Sequence, residues 1–181
     1  MRYEQLWAPW RLGYLIGSDA DDEANRAVPQ WLPGADTSCF VCRDVATPPD
    51  DRRNLVVARG ERTIAILNRY PYNNGHVLVA PIRHQGELDQ IDDATHVEAV
   101  HTLSRIIGVI RKEMNAEGFN VGLNLGKVAG AGLPGHLHWH IVPRWNGDTN
   151  FMPVMAGIRV IPQSLDALWE FLSDALRNDR G

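Results

Sequence analysis

Three histidines alternate with other residues in His136-Leu-His138-Trp-His140, and Ile141 and Val142 follow. Near neutral pH an imidazole can act as nucleophile, proton carrier, hydrogen-bond donor or metal ligand, because free histidine titrates at about pH 6.5. Read as a β-strand, the run puts all three rings on one face, neighbours roughly 6.6 Å apart. Leu137, Trp139 and Ile141 then point into the core. Three readings are open: a solvated polar face, a three-histidine metal site, or a phosphate-ester active site. Ordinary strands carry Thr, Val or Lys on a solvated face, which counts against the first. Three residues of one strand converge poorly on a single ion without help from elsewhere, which counts against the second. The third fits best, since a neutral imidazole attacks phosphorus without unusual ionisation.

The segment Gly126-Lys-Val-Ala-Gly-Ala-Gly-Leu-Pro-Gly135 leads into the histidines with four glycines and one charge, Lys127. Glycine lets backbone N–H groups approach phosphate oxygens closely. Cys39 and Cys42 are the only cysteines. In a reducing compartment a structural disulfide is disfavoured, so the pair is a metal half-site or a redox pair. A thioredoxin-like pair opens a helix after a strand, whereas the Pro- and Asp-rich Ala46-Thr-Pro-Pro-Asp-Asp51 reads as a loop. A net charge of −4 argues against a general binder of nucleic acid or anionic membrane. No apolar run approaches the roughly 20 residues that span a bilayer. The N-terminal residues mix Arg, Glu and Trp early, unlike a secretory signal, so a cytoplasmic protein is expected.

The elements that must hold these groups follow from periodicity. Residues 55–58 and 63–67 read as a hairpin about Arg59-Gly-Glu-Arg62. Tyr70-Pro-Tyr-Asn-Asn-Gly75 is a turn cluster, and His76 opens the next strand, through Pro81. Val97, Val100, Leu103, Ile107, Ile110 and Met114 recur three or four apart, which predicts an amphipathic helix over 93–116, capped by Asp92 or Asp93 and ending before Gly118. Residues 119–125 and 136–142 are further strands, residues 44–53 a loop, and residues 163–178 a last helix. The fold class is α+β: an antiparallel sheet of about five strands, one long helix and a C-terminal helix. The expected organisation is an arm and irregular connection (1–38), a central domain (39–151) and a helical extension (152–181).

His-x-His-x-His with two apolar residues after it resembles the motif of the histidine-triad (HIT) family. Leu67-Asn-Arg-Tyr-Pro-Tyr-Asn-Asn-Gly-His-Val-Leu-Val-Ala-Pro-Ile-Arg-His84 is similar to that family's strand–turn–strand, and Asn124-Leu-Gly126 with the glycine loop to its phosphate loop. Trp7-Ala-Pro-Trp-Arg11, Tyr14 and Pro143-Arg-Trp-Asn-Gly-Asp-Thr-Asn-Phe151 look closest to a bacterial branch that phosphorolyses or hydrolyses diadenosine tetraphosphate, near the fragile-histidine-triad group.

The resemblance implies a HIT-like fold and an enzyme. It cleaves a dinucleoside polyphosphate at an adenylated phosphate, by way of a nucleotidyl–histidine on His138 that water or inorganic phosphate resolves. His140 and His76 would donate to phosphate oxygens. Asn68 would face the ribose, and Asn124, Gly130, Ala131 and Gly132 the phosphates; Trp145 would stack on a base or cover the cleft. The loop departs from the family's usual Gln and hydroxyl residue, having Ala131-Gly132 and one extra position, so main-chain contacts carry more of the work there. The resemblance also implies a structural zinc on Cys39, Cys42, His84 and His136, an adenine nucleotide ligand and a homodimer. A phosphoramidase and a nucleotide sensor with little turnover are the alternatives.

Overall fold

The computed structural model describes residues 27–148 and 161–179. The Trp-rich arm with Trp7, Trp10 and Tyr14, and the segment around Phe151, lie outside the described residues. Five strands form one antiparallel sheet in the order β1-β2-β3-β5-β4. They are β1 (Val56–Arg59), β2 (Thr63–Leu67), β3 (Val77–Pro81), β4 (Gly118–Leu123) and β5 (Trp139–Arg144). The helices are α1 (Phe40–Ala46), α2 (Asp51–Asn54), α3 (Asp93–Met114) and α4 (Leu165–Asn178). The expected α+β class, sheet and two principal helices are present.

The central strands β2 and β3 are buried along their whole length, which suits their Ile, Leu, Val and Ala content. Helices α3 and α4 pack on the sheet and against each other. Trp169 of α4 donates its Nε1–H to the Val56 carbonyl at 2.7 Å, pinning the helix to edge strand β1. Side-chain caps start both helices: Asp92 accepts from Thr95 N, and Ser164 from Ala167 N.

Three expectations change. The long helix ends at Asn115, which takes the left-handed conformation at φ 53°, so Gly118 belongs to β4 and is not the cap. Its buried stripe runs through Thr95, Ala99, Leu103, Ile106, Val109 and Ile110, and leaves Val97 and Val100 exposed at 55% and 60%. Apolar periodicity grouped those two valines with Leu103 and Ile110; in the structure they lie on a second, exposed strip. Residues 44–53 are mostly helical rather than a loop: Pro48 opens a 3₁₀ turn that feeds α2.

Candidate active site

The β5 ladder starts only at Trp139, so His136, at a bend, and His138 lie in the lead-in rather than in the strand. The single-face expectation holds for His138 and His140, whose ring centroids are 5.0 Å apart. His136 turns to a different cluster. His138 Nδ1 lies 2.8 Å from the backbone oxygen of its neighbour His136. A carbonyl only accepts, so Nδ1 carries the proton and the Nε2 lone pair is left for an electrophile. Leu137 N–H donates to the Gln85 carbonyl at 2.7 Å and anchors the lead-in.

His76 enters through β3, whose Leu78 pairs with His140 across the ladder. Gly75 precedes it at φ 74°, where a Cβ would press on Pro143 and Met114 at 3.2 and 3.3 Å, so the turn requires glycine. Tyr72 N–H donates to His76 Nδ1 at 3.0 Å. Nδ1 is therefore an acceptor and the proton sits on Nε2, 3.0 Å from His140 Nδ1. His140 in turn accepts at Nδ1 and presents Nε2–H. Both nitrogens of His76 are thus engaged within the protein. The expected donation from His76 to a phosphate oxygen competes with this contact to His140.

Burial keeps this pair neutral. It pushes His76 down to about 3, helped by His140 and His138 nearby, and His140 down to about 4, helped by His138. Tyr72 tilts against His76 at 4.7 Å and stacks on His140 at 5.8 Å. Sequence reading missed Tyr72 as a site residue, although its place in the turn just before His76 was the available signal.

A second cluster lies behind the first. Cys39 Sγ is 3.4 Å and Cys42 Sγ 3.6 Å from His136 Nδ1. His84 Nδ1 is 3.3 Å from both Cys42 Sγ and His136 Nδ1. All four donor atoms lie within 4.8 Å of one another, so this group can hold a metal ion. The tautomers agree, since His136 Nε2 sits 2.8 Å from the Pro81 carbonyl and so carries the proton, freeing Nδ1 for the centre. Burial raises the Cys39 thiol to about 11, and a bound cation is what converts such a buried thiol to thiolate. Cys39 is the N-cap of α1, so the pair does open a helix, contrary to the sequence argument used against a redox role. The two histidines against the thiols are what point to a metal instead.

The remaining expected residues divide. Asn68 accepts from Tyr70 N–H at 2.9 Å, and its Nδ2 lies 3.3 Å from His76 Nδ1. Asn124 Nδ2 lies 3.4 Å from His140 Nε2; with the proton on Nε2 that pair is donor against donor, and only the amide turned over, oxygen toward the ring, makes a hydrogen bond there. In the glycine loop the N–H groups of Gly130 and Ala131 bond to the carbonyls of Lys127 and Gly126. Of the three expected donors only Gly132 keeps a free N–H among the described residues. Trp145 is not brought to the histidines: its Nε1–H donates to the Met114 carbonyl at the end of α3.

Residues 51–147 match the HIT domain family, described as "HIT domain". The chain is 40% identical over 162 residues to the AP-4-A phosphorylase of Mycobacterium tuberculosis, covering 90% of this chain and 78% of that protein. It is 32% identical over 93 residues to the asymmetrical bis(5'-nucleosyl)-tetraphosphatase of Schizosaccharomyces pombe, 51% of this chain and 50% of the relative. A Zn-bound histidine triad family protein from Mycobacterium smegmatis matches with a TM-score of 0.62 and 29% identity, over 77% of this chain and 94% of that one. The chain belongs to the histidine triad family.

The neutral His76–His140 pair has a measurable consequence. An unfolded histidine gains its proton below about pH 6.5, and the buried ones do so only much lower. Their contribution to stability is full above that pH and shrinks as pH falls toward the folded values. In NMR titration of the intact protein, the His76 ring is expected to stay neutral at about pH 5. Protonation of His76 above about pH 6 contradicts the buried one-way pair.

Proposed function

We propose that the chain moves the adenylyl group of a dinucleoside polyphosphate such as diadenosine tetraphosphate, first to His138 and then to inorganic phosphate. The observation that carries this reading is the bond from His138 Nδ1–H to the His136 carbonyl, which leaves Nε2 unprotonated on a ring beside His140. The identity with the mycobacterial phosphorylase supports the substrate class and the acceptor.

In the first step Nε2 forms a bond to the α-phosphorus, and the bond from that phosphorus to its bridging oxygen breaks. ATP leaves when the substrate carries four phosphates. His140 Nε2–H is the donor to the reacting phosphoryl group, held in that tautomer by His76. Asn124 and the Gly132 N–H lie at the phosphate side, and Asn68 at the nucleoside side. In the second step a phosphate oxygen attacks the same phosphorus, the Nε2–P bond breaks, and ADP is released with His138 restored. Splitting the transfer lets one imidazole serve two acceptors in turn.

Incubation with diadenosine tetraphosphate and phosphate should give ADP and ATP. AMP as the main product under those conditions replaces phosphorolysis by hydrolysis, and no turnover rejects the enzyme reading. His138→Asn should lower the rate by at least about 10³-fold, and preserved activity removes His138 as nucleophile.

The metal of the Cys/His cluster is zinc, in a structural role. Two thiols and two imidazoles suit it. Tetrahedral bonds of about 2.3 Å to sulfur and about 2.0 Å to nitrogen put ligand atoms roughly 3.3 to 3.8 Å apart, close to the separations seen. Four protein ligands leave no position for substrate, so zinc fixes His136 and does not act as Lewis acid. Unbridged thiols of this kind fit the cytoplasm. Elemental analysis should find one zinc per chain, lost in Cys39→Ser together with a lower Tm. A wild-type protein purified under metal-replete conditions without zinc removes the assignment.

The protein pairs with a second copy through β4 and α3. Strand β4 has a free outer edge among the described residues and an exposed Val121, and α3 offers Val97 and Val100. Sedimentation should give twice the chain mass, and Val100→Glu should shift it toward one chain. A monomer at high micromolar concentration contradicts the pairing.

A further inference from the structure

A cavity of about 260 Å³ has Phe40, Asp44, Ile66, Leu67 and Asn68 in its wall and the exposed Tyr70 at its margin. Asn68 links it to the reacting centre, through its 3.3 Å approach to His76 and the 3.0 Å step from His76 to His140. A nucleoside phosphate whose phosphorus sits at His138 thus has this cavity on the nucleoside side.

Asp44 is unusual in such a wall. It is 1% exposed, yet its carboxylate is held at one oxygen only. Arg43 Nε and Nη2 both donate to Oδ1, at 3.1 and 2.9 Å. Among the described residues no hydrogen bond reaches Oδ2. Arg43 itself is 40% exposed, so the pair only partly offsets the burial. Asp44 lines the cavity, so its second oxygen is within reach of a donor on a bound ligand.

Resting on the nucleotide reading above, we propose that Asp44 selects the base, its Oδ2 accepting a hydrogen bond from the exocyclic amino group of an adenine seated in this cavity. One free oxygen matches the single N6 amine of adenine. The adjacent N1–H and N2–H donors of guanine call for both oxygens, and Arg43 already holds one. The apolar residues take the ring faces, which carry no selectivity of their own.

The test compares AMP with purine riboside 5'-monophosphate, which lacks only the amino group, by calorimetry on the intact protein. AMP should bind about tenfold or more tightly, the effect expected of one hydrogen bond to a charged acceptor. Asp44→Ala should bring the two affinities together by weakening AMP alone. Asp44→Asn, which keeps an acceptor oxygen, should restore part of the preference. Equal binding of both nucleotides by wild type, or an unchanged ratio in Asp44→Ala, overturns the proposal and leaves the nucleotide reading intact. If neither nucleotide binds, both fail. The wild-type ratio decides the matter even if Asp44→Ala does not fold.

Discussion

The bond between His138 Nδ1–H and the His136 carbonyl is the contact on which the site depends. It joins neighbours in one lead-in segment, so its geometry is only as fixed as the backbone of His136. That backbone is fixed from two sides. The His136 ring is wedged between Cys39, Cys42 and His84, with its Nε2–H on the Pro81 carbonyl. The next residue, Leu137, is tied by its N–H to Gln85. A ring that does no chemistry therefore decides which nitrogen of its neighbour can.

The other histidines obey the same rule that one fixed donor sets a chain of tautomers. The Tyr72 N–H has only one way to point its proton, and from it the states of His76 and then His140 follow. Burial reinforces the order by keeping both rings neutral, so the site does not depend on pH to choose its donor. The pair thus offers oriented N–H dipoles rather than a cluster of cations. In a partly desolvated site such preorganised donors are worth more than they are in water.

Much of this was legible from local pattern. Continuous apolar runs marked β2 and β3, which are buried on both faces, and helical periodicity marked the two long helices, because each pattern reflects how the element is buried. The triad and the C-x-x-C were legible because chemistry restricts the residue types. Less legible was anything set by packing between distant segments. Val97 and Val100 carry the same periodic signal as Leu103, yet only the sheet's position decides which strip it covers. Trp145 looked like a cleft residue beside the triad, but β5 carries it away from His140 to the end of α3. Hydrogen-bond direction was hidden too: nothing in the spacing of His76 reveals that Tyr72 N–H would claim its Nδ1.

The short helix α1 shows how tightly the parts are coupled. Seven residues make fewer than two full turns, too few to hold helical form without tertiary contacts. Its N-terminal end carries Cys39 and Cys42 into the Cys/His cluster, and Phe40 and Asp44 stand along the cavity. The cluster that fixes His136 therefore also fixes the cavity wall, and the pose of α1 is common to both. Loss of the cluster would loosen His138 and the cavity together, though none of the four cluster residues lines that cavity. Such shared support explains how four donors, three of them buried, can matter to chemistry from which they stand apart.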